Sequence, residues 1–99
     1  MPIFVISWTD KPNALDARMA AREAHLNYIH QQGEKVKLGG PFLDGDGKMA
    51  GSMILLEADS LEDAQAWHAG DPYKLAGIFE RSEVRAWRLT TGAWGPAKT

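Results

Sequence analysis

The 99-residue chain contains no cysteine. That excludes disulfides and thiolate metal sites. A domain this small buries only about 60–65% of its unfolded surface, so its stability must come from its core or from a partner subunit. No apolar run approaches the ~20 residues needed to cross a bilayer. The N-terminal stretch MPIFVISWTD lacks the charged lead and long apolar segment of a signal peptide. The expectation is a cytoplasmic protein with no membrane contact. Its 11 basic residues are scattered and outnumbered by 13 acidic ones, which speaks against a nucleic-acid partner. There is no phosphate loop and no dinucleotide fingerprint. His25, His30 and His68 have no metal-ligand spacing. The stretch DGDGK at 44–48 fails as a calcium loop, because Lys48 stands at a ligand position in one register and the acidic closing residue is missing in the other. Neither a metal nor an organic cofactor is expected.

What the chain does contain reads as globular: 44% hydrophobic and 24% charged residues, with four tryptophans. Ile3 to Trp8 is a compact β-branched and aromatic run, expected to form a strand buried on both faces. Thr9, Asp10 and Asn13 are candidate caps for a helix, and Pro12 suits its first turn. From about Pro12 to Gln32, Leu15, Met19, Arg22, Leu26 and Ile29 recur at helical spacing and predict one buried stripe, with Arg18 and His25 along its margin. Gly33 is the stop. Val36 and Leu38 alternate with Lys35 and Lys37, as in a half-buried strand. DGDG at 44–47 predicts a hairpin turn, and Met49 to Ala58 the returning strand. Ser60 with Asp63 resembles a capping box opening a second helix, which Gly70 closes. Asp71-Pro72 then matches a cap with proline at the first helical position. A last strand runs from Ile78 to about Leu89.

The order is β-α-β-β-α-β with an extra turn before the final strand. It predicts an α+β, ferredoxin-like fold in which a four-stranded antiparallel sheet carries its helices on one face. The chain divides into a domain at 1–92 and a tail at 93–99. The face without helices would expose apolar residues of several strands, so a twofold homodimer through that face is expected.

Two residues stand out for chemistry. His25 is either a helix histidine packed on its neighbours or a general acid/base, since imidazole titrates near neutral pH. Asp71 is an N-cap by local pattern, and one carboxylate can cap a helix and orient an imidazole at once. In this fold the end of the second helix and the first helix lie on the same side of the sheet, which allows a His25–Asp71 contact. Arg18 and Arg22 either hold an anionic substrate or pair with Asp16 and Glu23; Arg22 is taken as the candidate substrate contact. Asp10 is read as a cap or a pocket residue. Ser52 follows Gly51 without a G-x-S-x-G frame, so it is not read as a nucleophile. It counts instead with Asp10, Arg22 and Tyr73 among the residues that contact substrate.

The residues R-x-x-H-L at 22–26, GGP at 39–41, GSMILLEA at 51–58, EDAQAW at 62–67, DPYKLAGIF at 71–79 and RAW at 85–87 together resemble the YCII-related family. The resemblance covers roughly residues 3 to 90. It implies a dimeric ferredoxin-like α/β barrel, akin to muconolactone isomerase. It also implies an active site built on a histidine–aspartate pair, which falls on His25 and Asp71. One branch of the family resembles a dehydrochlorinase of chlorinated hydroxyhydroquinones. The expectation is therefore a lyase or isomerase acting without a cofactor on a small ring-containing or anionic metabolite. The alternatives are a non-catalytic dimeric metabolite-binding protein and a cofactor-free monooxygenase.

Overall fold

Alternating side chains give β1 (Ile3–Asp10) one buried face, and everything else is built on that face. A computed structural model describes residues 2–94. β1 is followed by α1 (Leu15–His30), a single 3-10 turn at Gly33–Lys35, β2 (Val36–Leu43), β3 (Met49–Glu57), α2 (Leu61–Ala69), the short α3 (Pro72–Leu75) and β4 (Phe79–Trp87). The sheet order is β2-β3-β1-β4, antiparallel throughout. This is the expected ferredoxin-like plan, with the helices on one face.

Phe4, Ile6 and Trp8 point to the helices with Ile54 and Leu56 of β3, and Tyr73, Ile78 and Ala64 complete the core. Burying a side chain such as Ile6 or Leu56 stabilises by about 1.5–3 kcal/mol. The other face of β1 is Ile3, Val5 and Ser7, and these are only half-buried. The expectation of burial on both faces thus holds for one face of the single chain. On the open face Leu38, Phe42, Met53 and Trp87 remain 38–45% exposed. Pro2, Leu38, Met53, Leu55, Trp87 and Trp94 are among the residues around a cleft of about 1260 Å³ there, between the sheet and the segment after β4. The expected tail at 93–99 is described as far as Trp94; the rest lies outside the described residues.

Local signals act largely as the sequence predicts. Ser60 Oγ accepts from the Asp63 N–H at 3.0 Å, capping α2. Asp44 Oδ1 accepts from the N–H groups of Asp46 and Lys48 at 2.8 and 3.0 Å, closing the hairpin turn. Those two donors hold the Asp44 carboxyl below its ordinary value.

Three expectations are corrected. β1 continues to Asp10, and α1 starts at Leu15 with no side-chain cap. Asp10 is therefore not a cap, and Pro12 lies in the preceding turn. Val36 and Leu38 do not share a face. The register shifts between them, so Val36 pairs with Leu56 on the helix side while Leu38 pairs with Leu55 on the open side. The buried stripe of α1 is not the one drawn from apolar residues. Met19 is 49% exposed and Arg22 is exposed, whereas Arg18 and His25 are the buried residues of the helix. Polar side chains occupy that face because they meet partners from the sheet and from α3.

Candidate active site

The corner at Gly70–Tyr73 is fixed by its own chemistry. Proline supplies the helical φ at the first position of α3, and Asp71 Oδ1 accepts from the Tyr73 N–H at 2.8 Å. That contact turns the carboxylate inward. Asp71 is 0% exposed, and His25 Nδ1 lies 2.8 Å from its Oδ1 and 3.1 Å from its Oδ2. A carboxylate only accepts, so Nδ1 carries the proton and donates it. In the neutral imidazole this tautomer leaves the lone pair on Nε2. Asp71 both caps α3 and orients His25.

Seven residues before His25, Arg18 points from the same face of α1. It is 2% exposed. Its Nε donates to Asp10 Oδ2 at 2.6 Å and its Nη2 to Asp10 Oδ1 at 3.2 Å and to Ser52 Oγ at 3.0 Å. Positions seven apart on a helix are separated by about 10.5 Å along its axis. The Tyr73 ring fits that interval: His25 stacks on it at 3.8 Å and 15°, and the Arg18 Cζ stands 4.7 Å from its centre. Burial pushes the Tyr73 phenol up, and the positive charges of Arg18 and Arg22 work against that push.

Trp8 forms the floor. Its ring meets His25 edge-on at 5.9 Å, Tyr73 at 6.2 Å, Phe79 at 4.6 Å, and stacks on His68 at 5.5 Å. His68 is held on its other side by Phe79 at 5.1 Å. Among the described residues, neither ring nitrogen of His68 has a hydrogen-bond partner, nor has Trp8 Nε1. Burial first, with the charges of Lys74 and His25, lowers the His68 pKa, while Asp71 opposes the shift. Beside this cluster the Tyr28 hydroxyl donates to the Trp67 carbonyl at 2.5 Å, tying α1 to α2.

The structure thus brings together His25, Asp71, Asp10, Ser52 and Tyr73 on the helix side of the sheet. It leaves Arg22 at the exposed side of α1. The cleft on the open face does not reach this group; none of these residues lines it. From sequence, Arg18 reads as a contact for an anionic substrate or a partner of Asp16 and Glu23; its partners are instead Asp10 and Ser52, and sequence assigns Trp8 and His68 no role in the site. The one signal for Arg18 was its heptad spacing to His25, which places both side chains on one line.

A family model described as the YCII-related domain matches residues 3–88. Protein YciI of Escherichia coli O6:H1 is 35% identical over 94 residues, covering 87% of this chain and 96% of that one. An uncharacterized protein of Haemophilus influenzae is 32% identical over 84 residues, 77% of this chain and 86% of that one. Among solved structures, 5-chloro-2-hydroxyhydroquinone dehydrochlorinase of Burkholderia phenoliruptrix AC1100, in complex with 2,5-dihydroxybenzoquinone, superimposes with a TM-score of 0.82. It is 32% identical, and the match covers 87% of this chain and 93% of that one.

Proposed function

Because the chain belongs to the YCII-related family, we propose that it is an acid–base enzyme of lyase or isomerase type that moves a proton on a small, ring-containing anionic metabolite. The carrying observation is the buried His25–Asp71 contact, 2.8 Å long and set by the cap of α3. Asp71 holds the imidazole in the tautomer whose Nε2 takes a proton, and it stabilises the imidazolium that results. No group beyond the chain's own side chains is needed for that transfer. The ring-compound class is supported by the dehydrochlorinase, which shares 32% identity and was solved with a dihydroxybenzoquinone. Exposed Arg22, whose charge reaches Tyr73, steers the anion inward.

The working form in this reading is a homodimer through the open sheet face, supported by the exposed Leu38, Phe42, Met53 and Trp87. The second reading is a dimeric protein that binds the metabolite without converting it, with the buried His25–Asp71 contact setting affinity alone.

Halide release from 5-chloro-2-hydroxyhydroquinone separates the two. His25→Asn keeps an N–H donor near the position of Nδ1 and removes Nε2. Turnover should fall at least about 100-fold, with the circular dichroism unchanged. Unchanged turnover refutes the role of His25. Binding of 2,5-dihydroxybenzoquinone without turnover by the unaltered protein favours the second reading.

A further inference from the structure

We propose that the Tyr73 hydroxyl donates a hydrogen bond to a single-oxygen anion, a phenolate or enolate, on the ring whose proton His25 moves. This rests on the acid–base reading above and names the substrate group that the site recognises. The Tyr73 ring is stacked against His25 at 3.8 Å and faced by Arg18 at 4.7 Å, so its hydroxyl is fixed at the edge of a rigid stack. The side-chain oxygens of the cluster already accept from other donors. Both oxygens of Asp10 hold Arg18, Ser52 Oγ accepts from Arg18, and Asp71 holds His25 and the Tyr73 N–H. Arg18 has donors only. Among the described residues, none of the side-chain hydrogen bonds uses the phenol's own proton. Burial keeps that proton on, with Asp71 acting in the same sense and the charges of Arg18 and Arg22 acting against it.

The charge pattern also selects the kind of anion. A carboxylate or phosphate is best met by the two-pronged face of a guanidinium. That face of Arg18 is already given to Asp10. What remains is one O–H donor beside a buried cation, an arrangement suited to charge collecting on one oxygen.

The probe is 4-nitrophenol, whose absorbance distinguishes phenol from phenolate, with benzoate as competitor. Tyr73→Phe keeps the ring and the stack. It should weaken 4-nitrophenolate binding at least about tenfold and leave weak benzoate binding unchanged. Equal affinity in Tyr73→Phe and the unaltered protein overturns the proposal, as does benzoate displacing the phenolate on equal terms. If Tyr73→Phe fails to fold, the unaltered protein decides by NMR. A shift of the Tyr73 ring resonances on adding 4-nitrophenolate supports the proposal, and its absence overturns it. His25→Asn keeps the two readings apart: it should retain phenolate binding while turnover is lost, and turnover surviving there counts against the acid–base reading alone.

Discussion

Asp71 performs two tasks with one carboxylate, and two substitutions separate them. Asp71→Ala removes both. Loss of the cap on the Tyr73 N–H costs about 0.5–2 kcal/mol. Loss of the His25 contact leaves a buried N–H unpaired, about 1–3 kcal/mol more. The total is about 1.5–5 kcal/mol, or a fall in Tm of roughly 6–40 °C for a chain of this length. Asp71→Asn keeps an oxygen for the Tyr73 N–H but offers His25 no charge. Where its amide N–H faces Nδ1, the ring must carry its proton on Nε2, the wrong tautomer for a base. Its stability should lie within about 1.5 kcal/mol of the unaltered protein, while turnover falls at least about 100-fold. Urea unfolding gives the first quantity and halide release the second. If the two variants lose equal stability, the cap and the histidine contact are not separable as described. If Asp71→Ala loses less than about 1 kcal/mol, the buried contacts do not carry the weight assigned to them.

Two further expectations concern pH and association. The folded His68 binds its proton less readily than the unfolded chain, whose histidine titrates near the ordinary value of about 6.5. The stability it contributes is complete above that pH and is lost as the pH falls below it, at no more than about 1.4 kcal/mol per pH unit. Unfolding followed from pH 7.5 to 5.5 (~two units) should show this slope, and His68→Phe should flatten it; an unchanged slope in the variant refutes the assignment. On the open face, Met53→Glu should turn a dimer into a monomer in sedimentation at micromolar concentration, because a carboxylate there would be buried without a partner. A monomer in the unaltered protein refutes the homodimer.

Much of the architecture was legible because local chemistry carries it. The Asp44 turn, the Ser60 cap and the Asp71-Pro72 corner are each decided within four residues. The His25–Asp71 contact spans 46 positions; the element order allowed it, and the family resemblance pointed to it. The face of α1 was misread for a physical reason. Hydrophobicity assigns buried positions to apolar side chains, and so selects the stripe of Leu15, Met19, Leu26 and Ile29 on which Arg22 also lies. Arg18 is buried because Asp10 and Ser52, 8 and 34 positions away, satisfy its donors. No periodicity in one helix contains that information. The same holds at Lys37, where one extra residue in β2 reverses the faces of Val36 and Leu38.

That burial bears on function as well. A buried ion pair is poor support for stability, since an apolar pair of equal volume is often neutral or better. Here a 99-residue chain without disulfides buries two carboxylates, a guanidinium and two imidazoles, the imidazoles against Trp8. His68 and Trp8 even bury nitrogens with no partner, a destabilising arrangement for so small a core. Stability alone favours filling this volume with leucine and valine, as Ile6, Ile54 and Leu56 fill the volume beside it. The polar group is confined to the side chains around Tyr73 and Trp8, where two turns of α1 place an imidazole and a guanidinium on one aromatic ring. The proposed transfer of a proton beside a developing charge would use that combination, and packing does not.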